Sequence, residues 1–568
     1  MTPNTKTKPA YQRKYLSPEF NAEDAAQVRR EFEELARSDS RDRAELERWI
    51  LHWEELSSAV NDAYARANVA VTVDTTDKTA EARFMKFVDE ILPVVETEGF
   101  KLSRKLLAHP RCGELPLFYA NFLRALRADV ELYREENVPL KTEERKLVNE
   151  YEKITGSMTA VFRGQEMTLQ QVARFLEDPE RATRKEAFDA RAVAKRKHAA
   201  ALDDLYARMV RLRDRIARNA GFKNFRDYQF KAWHRFDYTP DDCFSFHSAI
   251  EKCAVPAAKN LHDERRAKLG VQTLKPWDMH VDPYAKDAVR PFEKVERLVE
   301  GCRSVFHKVD VELGGYFDEM VDGRLLDLES RKGKAPGGYC TQFSEQRVPF
   351  IFMNAAGTRR DVDTLLHEGG HSFHYFLSRE IPLPSYHHTA LEFAEVASMA
   401  MELLSRPHLG EFYGGVELDL VRNDQLRKIL EFFPFMAMID AFQHWVYTNV
   451  GAGAAEWRAK WAELERRFQP DIDWAGVEDL RDLGWQYPHV FSVPFYYVEY
   501  GIAQLGALSV WTQSLADYGA AVARYKAGLK LGAVKTLPEL FTAVGARFGM
   551  DEAVLAPLVA AVQAEIRS

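Results

Sequence analysis

The sequence predicts a mainly helical fold with one small β-sheet, and two observations carry that expectation. Apolar residues recur at three- and four-residue spacing, with charges between them, along most of the chain. One stretch, residues 320–357, breaks the pattern. There Gly323, Gly333, Pro336, Gly337, Gly338 and Gly357 punctuate short apolar runs, of which VPFIFMN is the most strand-like. The 568 residues are 46% hydrophobic and 29% charged, which excludes a fibrous or disordered chain. With 78 Lys and Arg against 86 Asp and Glu the net charge is −8, so no general basic face is expected and nucleic acid is not an expected partner.

The first 18 residues read as a polar, flexible lead-in. From about 20 to 155, segments such as EDAAQVRREFEELARS and RAELERWILHWEELSSAVNDAYARA predict antiparallel helices in a bundle. GSMTAVFRGQEMT, residues 156–168, predicts a small hairpin turning at Arg163-Gly164, after which Thr168 caps a helix. One long helical stretch follows, ending near Gly221, and Thr239-Pro240 opens another. Residues 268–290 are irregular, helix resumes to about 314, and the predicted sheet comes next. Beyond it the pattern is helical to the end, interrupted near 382–388, 410–415, 450–455 and 469–476.

Five cysteines without a C-x-x-C pair argue against a disulfide framework or cysteine zinc knuckle and for a reducing compartment. The basic N-terminus lacks an apolar signal core, and no apolar run reaches the roughly 18–20 residues that span a bilayer. The expectation is a soluble, cytoplasmic protein without a membrane partner.

The chemistry concentrates in DVDTLLHEGGHSFHYF. On a helix His367 and His371 share a face and can point at one ion, and Glu368 is placed to reach a water beside it. Neutral imidazoles bind Zn²⁺ well, and a carboxylate accepts a proton from an activated water. Gly369-Gly370 weakens a helix, so close approach of another backbone or of a substrate is expected there. A catalytic zinc needs a third protein ligand. His374 and Leu377 stand where the metzincin pattern has its Gly and third His, so that pattern fails. Glu380 falls about 13 Å beyond His371 along the helix, too far to share the ion. Glu392 and Glu395 lie in the strongly apolar ALEFAEVASMAMELL, where carboxylates are costly unless bound or paired. The flanks Ala394 and Val396 favour Glu395 as ligand, with Glu392 a candidate to hold a ligating His through its other ring nitrogen. Spacing does not separate the two.

HEGGHSFH, the EFAEVAS helix and the GGYC…VPFIFMN segment together resemble the thimet oligopeptidase/oligoendopeptidase F family of zinc metallopeptidases. The resemblance is strongest over about 320–505. It implies one Zn²⁺ per chain held by His367, His371 and Glu395, with Glu368 as general base. In YPHVFSVPFYYVEYG it implies that His489, Tyr497 and Tyr500 bind substrate and stabilise the oxyanion, with Tyr496 an alternative to Tyr497. It further implies substrate contacts at Gly337, Gly338, Tyr339 and Phe350, and an edge strand at VPFIFMN that pairs with an extended peptide. The sequence departs from the commoner pattern in its Gly-Gly between Glu368 and His371.

The implied architecture is two helical lobes around a deep channel, 19–235 and 236–568, the second carrying the small sheet and the zinc helix. The implied activity is hydrolysis of internal bonds in short, unstructured peptides. A related dipeptidyl carboxypeptidase or metallocarboxypeptidase is the alternative, with Lys334, Arg347, Arg359 and Arg360 as cations able to capture a substrate's C-terminal carboxylate. A non-catalytic zinc-containing peptide-binding protein is disfavoured by Glu368, for which a structural site has no use.

Overall fold

The computed structural model describes residues 12–284 and 290–566. Along the chain the elements used below are α1 (Ala25–Arg37), α2 (Arg43–Val73), β1 (Thr159–Phe162), β2 (Gln165–Thr168), α3 (Arg181–Asn219) and α4 (Pro240–Leu269). They continue with β3 (Leu326–Glu329), β4 (Tyr339–Phe343), β5 (Val348–Ala355), α5 (Arg359–Ser378), α6 (Leu391–Ser405), α7 (Gly415–Thr448) and α8 (Tyr497–Ala516). Other helices fill most of the intervals, so the fold is mainly helical with two small sheets. No helix of the described residues is long and apolar enough to cross a membrane.

Local chemistry explains where elements begin. β1 and β2 pair antiparallel through the two-residue turn Arg163-Gly164, both at positive φ (51° and 78°), the geometry that matches the strand twist. Thr168 and Gln171 form a reciprocal cap, and Thr239 with Asp242 does the same at the start of α4, where Pro240 takes the first helical position.

The chain divides into two compact units, each assembled from three stretches. The first comprises Met1–Val130, Val289–Leu418 and Gly506–Phe548; the second comprises Glu131–Ala288, Asp419–Leu505 and Gly549–Ser568. This differs from the contiguous boundary expected at residue 235. The reason lies in one apolar core: Phe32, Ile50, Trp53 and Phe122 from the N-terminal helices are buried together with Leu383 and Tyr386. The Tyr386 hydroxyl donates to Phe118 O at 2.6 Å, tying the same segments.

Part of the lead-in is also fixed. Residues 1–11 lie outside the described residues, but Arg13 makes a two-pronged ion pair with Glu345 at 2.6 and 3.0 Å. The backbone N–H groups of Lys14, Tyr15 and Leu16 donate to the Glu55 carboxylate at 2.8–3.1 Å, and Leu16 is buried. The flexible reading of 12–18 is therefore corrected: a buried carboxylate with three backbone donors holds them.

The sheet of the first unit has the order β3-β5-β4, with β3 parallel and β4 antiparallel to β5. VPFIFMN is thus the central strand, not the edge strand expected. Its residues are buried almost without exception, as a continuous apolar run covered on both faces should be. β3 and β4 are the two edges, and α5 follows β5 after a turn at Gly357. A Cβ at Gly357 would lie 2.9 Å from Phe292 O, and its φ is +83°.

Candidate metal centre

α5 starts where the Asp361 carboxylate gathers the N–H groups of Ala356 and Thr358, at 2.9 and 2.7 Å, and the Thr358 hydroxyl at 3.0 Å. Val362, Leu365, Leu366 and Phe373 bury one face of this helix, leaving His367 and His371 half-buried on another. The glycine pair between them has a structural cause. A Cβ on Gly370 would stand 2.5 Å from both Ala397 O and Ser398 Cα, so α5 and α6 touch backbone to backbone there. A Cβ on Gly369 would meet the Phe306 ring at 2.5 Å.

That contact brings Glu395 of α6 to the two histidines. Its Oε2 lies 3.3 Å from His367 Nε2 and 3.6 Å from His371 Nε2, and one donor atom from each of the three residues falls within 4.8 Å of the others. Tetrahedral zinc bonds of 2.0–2.1 Å place donors about 3.3 Å apart, so this donor set fits the ion. Ser398 Oγ donates to Glu395 Oε2 at 2.9 Å and steadies the carboxylate. Glu392 is buried in the first turn of α6, but the group that holds His367 Nδ1 is Glu402, at 2.7 Å. The backbone of Ala394 hydrogen-bonds His371. Each ring is thereby oriented from behind, as metal-ligating histidines require.

Electrostatics divides the roles. Burial alone would lower the His367 pKa, but hydrogen bonds to Glu395 and Glu402 outweigh it and hold the imidazole well above its ordinary value. Burial takes His371 down to about 4, keeping it neutral. Glu395 is held at about 2 although burial opposes ionisation, because both histidines favour its charge. Glu368 behaves in the opposite way. Burial pushes its pKa up to about 7, the charge of His367 pulls it back, and the Glu395 and Glu402 carboxylates add to the rise. The backbone N–H of Cys340 hydrogen-bonds the Glu368 carboxylate, so edge strand β4 positions this group. A carboxyl group that titrates near neutrality beside a metal-type donor set is suited to take and return a proton.

Of the expected substrate residues in this unit, Gly337, at φ +96°, and Gly338 are exposed just before β4. Tyr339 stacks on Phe352 with ring centroids 4.9 Å apart, and its hydroxyl lies 2.5 Å from Thr72 Oγ1. Phe350 is corrected to a core residue: it sits in the central strand, 3% exposed, against Phe343. Glu380 is an exposed residue just past the end of α5, away from the donor set, as its spacing predicts.

The second unit gathers the aromatic run. His489 packs within 4.9–6.3 Å of the rings of Tyr487, Tyr496, Tyr497 and Tyr500. The Tyr487 and Tyr497 hydroxyls are 3.5 Å apart, so Tyr487 joins a cluster from which sequence reasoning had not singled it out. Burial raises the Tyr497 pKa and lowers that of His489, leaving both neutral at pH 7. Buried arginines fix the segment. Arg213 donates to Phe491 O and, at 2.7 Å, to the Tyr447 hydroxyl, while Arg235 donates to Phe495 O and pairs with Glu499 at 2.6 Å.

A helix carrying H-E-x-x-H, a glutamate donor from a second helix and a buried carboxyl group beside them are the parts from which a metallopeptidase centre is built. The comparisons with known proteins agree. Residues 174–559 match the model of Peptidase family M3, and residues 17–131 match its N-terminal domain. The chain belongs to peptidase family M3. It is 25% identical to the oligoendopeptidase F homolog of Borreliella burgdorferi over 296 residues, 50% of this chain and 48% of that protein. It is 26% identical to oligopeptidase PepF of Bacillus subtilis over 384 residues, 63% of this chain and 53% of that one. The chain thus spans about half the length of the curated relatives it matches. The solved structure of PZ peptidase A with an inhibitor superposes with a TM-score of 0.88 at 28% identity, covering 97% of this chain and 99% of the other.

Proposed function

We propose that this chain is a zinc-dependent oligopeptidase that hydrolyses internal bonds of short peptides, with one zinc held by His367, His371 and Glu395. The observation that carries this reading is Glu368, buried, raised to about 7 and hydrogen-bonded by Cys340 beside that donor set. Zinc in this place supplies Lewis acidity, which acidifies water and polarises a scissile carbonyl. Glu368 accepts the proton of the attacking water and passes it to the departing amine nitrogen. Glu402, on Nδ1 of His367, would leave Nε2 on the Glu395 side free to hold the ion. On the resemblance alone, Tyr500 with Tyr497 and His489 is assigned to the oxyanion, neutral phenol and imidazole groups being able to donate to it.

Internal cleavage is preferred over C-terminal trimming because three of the four candidate cations are engaged, Arg360 alone being exposed. The Lys334 ammonium is wholly buried and bonds Asp327 Oδ1 at 2.9 Å and Met353 O at 2.6 Å. Arg347 is buried and donates to Arg379 O at 2.7 Å, and Arg359 faces Asp363 at 3.7 Å. A mass-spectrometric digest of a mixed peptide library, wild type beside Glu368→Gln, tests the proposal. Internal cuts in short peptides, lost in the variant at unchanged zinc content, are expected. Sequential loss of C-terminal units would replace the reading with a carboxypeptidase, and turnover that survives Glu368→Gln would remove the general base.

A further inference from the structure

The second unit carries a buried cluster that the peptidase chemistry does not use. Cys243 and His247 are four residues apart on α4, and Asp440 and His444 are four apart on α7, so each pair shares a helix face. All four are sealed from solvent: Cys243 and Asp440 are 0% exposed, His444 2% and His247 3%. One donor atom from each of Cys243, Asp440 and His444 lies within 4.8 Å of the others. Asp440 Oδ2 is 2.8 Å from His247 Nε2 and 3.3 Å from His444 Nε2.

Hydrogen bonding leaves this cluster incomplete. Asp440 Oδ1 and His444 Nδ1 are buried without a hydrogen-bond partner, and His444 Nε2 meets only Asp440 Oδ2, at 3.3 Å. Around His444 stand the rings of Phe230, Phe244 and Phe495, with centroids at 5.7, 4.9 and 5.2 Å, which offer no donor or acceptor. Buried polar atoms are nearly always satisfied, and a cluster of orphans points to a bound group.

We propose that the second unit holds a structural metal site for a divalent ion of the zinc class, with Cys243, Asp440 and His444 as donors and His247 holding the Asp440 carboxylate. A thiolate, an imidazole and a carboxylate are the ligand types such ions take. One thiolate and one carboxylate neutralise the ion, so no net charge is left among the phenyl rings. On binding, the Cys243 thiol gives up its proton to solvent. The ion would staple α4 to α7 beneath the segment that leads into α8, where Gln443 Oε1 already takes the Phe495 N–H at 2.7 Å. No donor is shared with His367, His371 and Glu395, so this proposal stands apart from the peptidase reading.

The full-length protein, exchanged into Co²⁺, tests it. The His-His-Glu set has no sulfur donor, so a thiolate-to-cobalt charge-transfer absorption reports the Cys243 site alone. We expect about two cobalt ions per chain by elemental mass spectrometry, together with that absorption. Cys243→Ala should abolish the band and remove one ion. Glu395→Gln should remove the other ion and keep the band. Cys340→Ala, which deletes the thiol nearest Glu368, should leave the band intact. Wild type binding a single ion without the band overturns the proposal, as does a band that survives Cys243→Ala or vanishes in Cys340→Ala. The wild-type result decides the matter even if a variant folds poorly.

Discussion

Glu402 Oε1 lies 2.7 Å from Nδ1 of His367, on the far side of the ring from Glu395. The two carboxylates are seven residues apart on α6, two helical turns, so one helix face supplies both the candidate metal donor and the group that orients His367. Removing such an orienting carboxylate costs roughly 10–100-fold in metal affinity. Glu402→Gln is expected to lose zinc to a chelator within that range and Glu392→Gln to retain it. A competition titration separates the two, and equal behaviour would return the role to Glu392.

Zinc loading should release a proton. The Glu395 and Glu402 carboxylates keep His367 protonated above its ordinary pKa, and the ion must displace that proton, whereas His371 at about 4 has none to lose at neutral pH. Release of about one proton per zinc is expected at pH 7, read with an indicator dye in weak buffer. Apparent affinity should fall as pH falls. Glu402→Gln should release less.

The glycine pair yields a prediction of relative cost. Gly370→Ala drives a Cβ to 2.5 Å from the backbone of Ala397 and Ser398, which cannot give way without parting the helices. Gly369→Ala meets the Phe306 ring, a side chain able to turn. Overpacking costs about 1–3 kcal/mol, against about 1 kcal/mol gained from replacing a helical glycine. Thermal unfolding should show Gly370→Ala clearly destabilised and short of zinc, with Gly369→Ala affected less.

His262 of α4 makes stability depend on pH. Burial opposes its charge, yet hydrogen bonds to Asp471 and Glu431 prevail and raise its pKa from 6.5 to about 9. A group bound to its proton more tightly when folded contributes stability fully below pH 6.5 and loses it as pH climbs to about 9. Thermal stability of wild type should therefore decline across that window through this group. In His262→Gln the decline should be smaller, with the loss relative to wild type largest at pH 6.

Much of the candidate metal centre's arrangement was legible in the sequence. The i, i+4 histidines, the intervening Glu368 and the carboxylate-bearing apolar helix are local patterns, and Gly369-Gly370 correctly announced a close approach. Glu402 was missed because a glutamate in MAMELL reads as an ordinary helix-surface residue; its two-turn offset from Glu395 was the available signal. VPFIFMN went to the wrong place in the sheet although its unbroken apolar run, lacking alternation, is the mark of a strand covered on both faces. Two lobes were expected, but the assembly of each unit from three separate stretches was not legible. It depends on Trp53 and Phe122 sharing a core with Leu383 and Tyr386, contacts between segments more than 250 residues apart that no local pattern encodes.

The absent side chain at Gly370 has a consequence for metal choice. Because the backbones of α5 and α6 touch at that point, the gap between the histidine-bearing and glutamate-bearing helices is a fixed gauge rather than a flexible grip. Ions that demand longer bonds or more donors than zinc must be accommodated by moving main chain, not by swinging a rotamer. Exchanging ligand side chains alone would then change how tightly this centre holds its ion far more readily than which ion it holds.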